Sequence, residues 1–431
     1  LRNIPEGSYS EMFRGVGEKL SAEKMHRYEA DEIIWLNSQK ADDYTKECKV
    51  CKHVGKVSED GLCPLCSKIQ KLSNNVLYSD FFSVVLEGEA DGLPLPGGYL
   101  LLADDEKTLS KRMEKDSYFV RVYAKNQMYT GKHIATKLWV GDYTTGDTFE
   151  KFAQKAEGIK RIGVLRADVD NLGQTFVAGF AGKYATLSRT AALSRQLSIF
   201  FKYYIRSILK NGEYHIDGEK KLTERNATIV YSGGDDVFIV GAWNEVIELS
   251  IDLQEKFKKY TQGTLSISSG IGIYECTYPI GAIANETGEM EAESKRMPEK
   301  DSVTFMDDGE THLINELEIC DGTYRWEELY KSVLGEKYDV IQDFLGESDE
   351  RGMSFLYRML ELIRNQKEKI NFARFVYLLS RLEPDKEGEK KEKYRKFSRK
   401  MYQWVQSEKD CRELKTAINL YAYMHREKGA H

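Results

Sequence analysis

Apolar and polar positions alternate differently in successive stretches of the chain. Over 18–37, Leu20, Met25, Ile33, Ile34 and Leu36 recur at roughly helical spacing, so residues 1–47 read as mainly helical. Residues 76–143 carry short apolar runs cut by Gly, Asp, Lys and Pro, which predicts strands at 81–86, 98–103, 118–124 and 134–140. A short helix is expected at 149–156. The pattern then changes to a buried strand at 162–167, a long amphipathic helix at 189–210, a hairpin of 228–231 with 237–240, a helix at 244–260, a strand at 265–274, a helix at 280–297 and a last strand at 303–306. The order strand-helix-strand-strand-helix-strand is ferredoxin-like, and it sets the hairpin tip beside the end of the first strand. The last hundred or so residues read as helical, with apolar stripes over 355–365, 372–382, 396–406 and 412–424 and a charged connector at 384–393. No internal repeat or low-complexity tract is visible. The expected fold class is therefore α+β, with a ferredoxin-like domain and a helical C-terminal domain.

Composition narrows the function classes. The 431 residues are 41% hydrophobic and 31% charged with a net charge of −6, which fits a water-exposed globular protein of several domains and argues against a coat of basic charge, while leaving room for a local basic groove. No apolar run approaches the ~20 residues needed to cross a bilayer, and no signal peptide is visible, so a cytoplasmic protein without a membrane partner is expected. The chain starts at Leu1 rather than Met, which suggests part of a longer polypeptide.

Four of the seven cysteines are clustered as Cys48-x2-Cys51-x11-Cys63-x2-Cys66. Each C-x2-C pair can form a turn that points two thiolates at one tetrahedral ion, and four sulfurs fill the shell, so a structural zinc is expected. Gly55, Gly61 and Pro64 suit the turns, and His53 is not needed as a ligand. Lys46, Lys49, Lys52, Lys56 and Lys68 leave open a knuckle that touches nucleic acid, and free thiols are the plain alternative. Cys276, Cys320 and Cys411 read as small apolar residues.

The chemistry is concentrated at Ser232-Gly233-Gly234-Asp235-Asp236, between two apolar strands. Neighbouring carboxylates at a hairpin tip repel each other and bury nothing apolar, but they suit a divalent metal held against a triphosphate. The first strand of the alternating region ends Asp168-Val169-Asp170-Asn171-Leu172-Gly173, so Asp168 is expected to face Asp235 and Asp236. The three aspartates are the candidate catalytic and magnesium- or manganese-binding residues. Gly233 and Gly234 clear the backbone for phosphate, with Ser232 beside them, and the N–H groups of Asn171, Leu172 and Gly173 lead into a helix. Lys295 can reach β- and γ-phosphates as a point charge. Taken singly, the Gly-Gly-Asp-Asp can be only a turn, Asp168 a helix cap and Lys295 a solvated lysine.

At these residues the chain resembles the palm domain of polymerases and nucleotide cyclases. It is similar to the large catalytic subunit of type III CRISPR interference complexes, subtype A. The resemblance is carried by Ala167-Asp168-Val169-Asp170-Asn171-Leu172-Gly173, Leu193-Ser194-Arg195-Gln196-Leu197, Ser232-Gly233-Gly234-Asp235-Asp236 and the four-cysteine module. It covers essentially the whole chain in domain order: 1–47 as the tail of a first palm, 48–150 as the zinc module with antiparallel strands, 151–310 as the second palm and 311–431 as the helical C-terminal domain. The resemblance implies synthesis of cyclic oligoadenylates from ATP by two-metal catalysis, switched on by target RNA within a complex of guide RNA and other subunits. Full-length members also carry an HD nuclease domain that cuts single-stranded DNA. No His-Asp pair occurs here, so that activity is not expected, and most of the first palm, which faces the second in the family, is expected to be missing. Two other readings stay open. A diguanylate cyclase-like enzyme would share the palm, although Asp236 and Val237 stand where that family has Glu-Phe. A non-catalytic scaffold would bind nucleotide or RNA and dock partners through its helical tail.

Overall fold

The computed structural model describes residues 9–38, 46–76, 78–86, 91–114, 118–130, 133–146, 148–218, 221–306, 309–346, 351–364 and 369–426. They divide into two compact units, Leu1–Asp142 with Gly173–Ile199, and Tyr143–Leu172 with Phe200–His431.

In the first unit the N-terminal stretch is helical as expected, in two helices, Tyr9–Met25 and Ala30–Ser38. The Glu32 carboxylate reaches back 2.9 Å to the Glu29 N–H, the reciprocal half of a capping box, and starts the second helix afresh. A five-stranded sheet follows, built from β1 (Phe81–Leu86), β2 (Leu93–Leu95), β3 (Tyr99–Asp104), β4 (Phe119–Lys125) and β5 (Thr136–Leu138) in the order β2-β3-β1-β4-β5. Between β3 and β4 lies the helix Glu106–Glu114, which seats Leu109 and Met113 against Phe81, Val122 and Ala124. The expected helix at 189–210 is helical throughout, from Leu187–Ile199 through a π-wound stretch, Phe200–Tyr204, into Ile205–Lys210.

The second unit is built on β6 (Ile162–Val169), β7 (Ala227–Ser232), β8 (Asp236–Ala242), β9 (Ile267–Tyr274), β10 (Ser302–Phe305), a hairpin of β11 (Thr311–Ile314) and β12 (Leu317–Cys320), and β13 (Thr323–Arg325). The sheet order is β13-β10-β9-β6-β8-β7. Its inner part, β9-β6-β8-β7, has β6 antiparallel to both neighbours, the ferredoxin-like arrangement. Because side chains alternate along a strand, β6 presents two different faces. On one face Gly163 lets the helix Trp243–Tyr260 approach so closely that a Cβ there would lie 2.7 Å from the Trp243 Cα. On the other, Ile162 and Val164 join Phe152, Val240 and Ile283 in a buried cluster beneath the helices Phe149–Lys155 and Ile280–Ser294. Asp168 is even-numbered and shares the second face.

Residues 311–325, read from sequence with the helical part, are strands instead. Asn315 and Glu316 take left-handed φ values of 49° and 67° between β11 and β12, the geometry of a two-residue hairpin loop, and β13 extends the main sheet. Helices follow at Trp326–Glu328, Leu329–Tyr338 (π-wound), Asp339–Leu345, Arg351–Arg364, Lys369–Ser380, Glu389–Trp404 and Glu408–His425. The last is the central one. Its Thr416 hydroxyl meets the Tyr324 hydroxyl of β13 at 2.7 Å, and its Glu413 receives the buried Lys337 ammonium at 2.5 Å. Among the described residues, no helix is long and apolar enough to cross a membrane.

Candidate active site and metal centre

Strand register assembles the acidic corner. Asp168 on β6 lies directly opposite Asp236 on β8, and Val169 donates its N–H to the Asp235 carbonyl at 3.1 Å. Residues some sixty-odd positions apart in sequence therefore share one sheet end. The Gly233 N–H closes the turn on the Asp236 carbonyl at 2.8 Å. Burial, and then the charges of Asp168 and Asp236, push the Asp235 carboxyl above the usual carboxylate range, while Lys295 opposes the shift. This mutual crowding of oxygen donors is the electrostatic condition that a hard divalent cation relieves, so the residues fit magnesium or manganese.

Lys295 lies within the site. Its ammonium is paired with Asp168 and, at 2.6 Å, with Glu291 one helical turn earlier. Burial alone would lower its pKa, but the hydrogen bonds to Asp168 and Glu291 outweigh it and the net shift is upward. Glu291 is held in turn by Arg166 at 2.8 Å, two residues before Asp168 on the same face of β6. Glu291 and Arg166 were not singled out from sequence. The i,i+4 spacing of Glu291 and Lys295, and the period-two spacing of Arg166 and Asp168, are the signals that could have found them.

The neighbouring positions differ in what they offer. Asn171 has a left-handed φ of 53°, and its side-chain oxygen accepts from Lys300 at 2.7 Å. Leu172 and Gly173 open the helix Leu172–Ala178, and a Cβ at Gly173 would meet nothing among the described residues. Ser232 pairs with Val237, and its hydroxyl turns to the face covered by the helix Trp243–Tyr260, away from the aspartates, where it donates to the Phe201 carbonyl. Asp170 is buried, with one carboxylate oxygen accepting from the Ser266 hydroxyl at 2.7 Å and from the Asp301 N–H at 3.1 Å, which ties the β6 end to the start of β9 and β10.

The four cysteines form the second centre. Among the described residues theirs is the one group whose candidate ligand atoms all lie within 4.8 Å of one another; the three aspartates share a corner without that spacing. The Cys48 N–H donates to the His53 carbonyl at 2.9 Å, so His53 contributes backbone, and Gly61 takes a left-handed φ of 80°. Cys63 precedes Pro64, which opens the helix Pro64–Val76 at the position where proline is tolerated, and Cys66 sits in its first turn. Backbone N–H groups of Cys51 and Cys63 lower the Cys48 thiol to about 6, while hydrogen bonding to Cys51, together with burial, raises Cys66 to about 12. Four converging sulfurs with one already acidic suit a tetrahedral zinc.

Residues 161–304 match the family model for the second palm domain of Cas10/Cmr2, and residues 342–427 match that for the second helical domain of the CRISPR RNA silencing complex Cmr2 subunit. The chain is 40% identical over 435 residues to the CRISPR system single-strand-specific deoxyribonuclease Cas10/Csm1 (subtype III-A) of Mycobacterium tuberculosis, covering 97% of this chain and 51% of that protein. The protein of the same description from Enterococcus italicus is 36% identical over 430 residues, covering 98% of this chain and 52% of its own. A solved Csm1 of T. onnurineus superposes with a TM-score of 0.63 at 21% identity, over 83% of this chain and 50% of that one, and so shares the fold. The chain spans about half the length of the curated relatives it matches. With this sheet order, this acidic corner and these matches, the chain belongs to the Cas10/Csm1 family of type III-A CRISPR systems.

Proposed function

We propose that this chain carries the nucleotidyl-transfer site of a cyclic oligoadenylate synthase that uses ATP. The observation that carries the reading is the register of Asp168 against Asp236, with Asp235 beside them. In the reaction the ribose 3′-oxygen of one nucleotide forms a bond to the α-phosphorus of another, the bond to the β-phosphate breaks, pyrophosphate leaves and the hydroxyl proton passes to solvent. Bound divalent metal would supply the Lewis acidity for this exchange. Asp168, Asp235 and Asp236 would hold it. Gly234 would keep the backbone bare for the triphosphate, while the space over Gly233 is taken by the Tyr231 hydroxyl and Asp236, and the N–H groups of Asn171, Leu172 and Gly173 would offer phosphate contacts. Lys295, released from Asp168, would meet the β- and γ-phosphates. The cysteine module would hold its zinc for structure alone.

Solved structures that share the fold are described as Csm1-Csm4 cassettes in complex with one ATP, with pppApApA and with cA4, which supports the same substrate and product here. They also support neighbouring type III-A subunits as partners. Guide RNA, activating target RNA and a first palm domain complete the proposed assembly. The test is to incubate that assembly with ATP or with GTP, Mg²⁺ or Mn²⁺ and target RNA and to identify products by mass spectrometry. Cyclic adenylates are expected; cyclic di-GMP from GTP, or no product, would overturn the reading.

A further inference from the structure

The strand leading into the acidic corner is irregular, and the irregularity re-aims a side chain. On β7, Ile229 pairs with Ile239, but Tyr231 pairs with Phe238 and Ser232 with Val237, so Val230 is an extra residue, a β-bulge. In a regular strand Tyr231 would share the face of the buried Ile229, the one covered by the helix Trp243–Tyr260. The bulge moves it to the face of Phe238, Asp236 and Asp168, where it is 52% exposed. There its hydroxyl lies beside the Asp236 carboxylate. The two groups meet over Gly233, where a Cβ would lie 2.3 Å from the Tyr231 oxygen and 2.4 Å from Asp236 Oδ1. The same extra residue turns Ser232 to the opposite face and the Phe201 carbonyl. Bulges next to active sites commonly serve to aim a side chain.

We propose that Tyr231 is a positioning residue of this site, delivered by the bulge at Val230 to fix the Asp236 carboxylate for metal, with Gly233 required because the Tyr231 hydroxyl and the Asp236 carboxylate meet over it. This rests on the reading of the aspartates as metal ligands. The hydroxyl holds one carboxylate in one rotamer, so the carboxylate need not be ordered when the ion arrives, and partners of this kind are worth about 10–100-fold in metal affinity.

The test is Mn²⁺ binding followed by electron paramagnetic resonance on the zinc-loaded chain, with thermal unfolding in parallel. Tyr231→Phe should weaken Mn²⁺ binding about 10-fold or more with little change in the unfolding midpoint. Unchanged Mn²⁺ affinity in Tyr231→Phe, or an affinity lost only in step with unfolding, would overturn the proposal. Asp235→Asn with Asp236→Asn separates the two readings. If that pair abolishes Mn²⁺ binding and Tyr231→Phe weakens it, but the wild-type assembly makes no oligoadenylate, the positioning role stands and the synthase reading falls. If the pair leaves Mn²⁺ binding intact, both fall.

Discussion

At the scale of single residues the site is a contest of charges. Asp168, Asp235 and Asp236 repel one another at one sheet end, and Lys295 is the cation that answers them. Asp235→Asn with Asp236→Asn should lower oligoadenylate synthesis by more than about 100-fold, since metal-borne charge stabilisation is worth several kcal/mol, and should leave the unfolding midpoint unchanged or slightly raised. Product assays and calorimetry check the two halves. Lys295→Met should act differently. It leaves Asp168 without its cation while Glu291 keeps Arg166, so it should cost about 1–2 kcal/mol in urea unfolding, a modest figure because the pair is partly solvated, and should also raise KM for ATP. The aspartates and the Gly-Gly turn were legible in the sequence because their residue types are poor choices for a mere hairpin. The direction of Ser232 was not. A single extra residue at Val230 reverses the faces, and nothing in Val-Tyr-Ser announces a bulge.

At the scale of elements, close approach and capping decide what forms. The helix Glu106–Glu114 was missed behind Asp and Lys residues that looked like punctuation. Its signals were present: Asp105 accepts from the Thr108 N–H at 2.7 Å as a cap, Lys111 and Arg112 close the last turn, and Leu109 and Met113 stand four apart. The β11–β12 hairpin was missed because its loop is Asn-Glu rather than a Gly-containing pair. Where periodicity was strong, as in β6 and Trp243–Tyr260, sequence and structure agree to within two residues. Gly163 is where β6 and that helix touch. Gly163→Ala should cost about 1–3 kcal/mol by forcing backbone apart, measured by urea unfolding. In the cysteine module, Cys63→Ser should release about one zinc per chain and lower the stability of the first unit, with little effect on the sheet that bears the aspartates. Metal analysis with limited proteolysis checks this, and equal zinc in the variant would contradict the four-sulfur site.

At the scale of the whole molecule, a polar junction joins the β11–β12 hairpin to the last helix. Asp321 accepts from His312 at 3.2 Å and from Lys415 at 2.9 Å, and Arg412 reaches Glu328 at 2.7 Å. Burial pushes the Asp321 carboxyl up, but the hydrogen bonds from His312 and Lys415 outweigh it and bring the value down to about 2. The folded value lies below the unfolded one, so this stabilisation is present above the ordinary carboxylate value and is lost as pH falls toward about 2. Asp321→Asn should remove about 2 kcal/mol at neutral pH, and the gap between wild type and variant should close on acidification. The palm and the helical part were legible at this scale because the first carries its acidic motif between apolar strands and the second its apolar helical stripes. The junction was not, because its partners lie about a hundred positions apart and each reads alone as a surface charge. The most direct test of the central claim is a map of the assembled complex with a non-hydrolysable ATP analogue and Mn²⁺, read by anomalous scattering. Manganese ligated by Asp168, Asp235 and Asp236, with Lys295 moved onto phosphate, is expected. A triphosphate bound elsewhere, with Lys295 still on Asp168 and no ion at the corner, would contradict it.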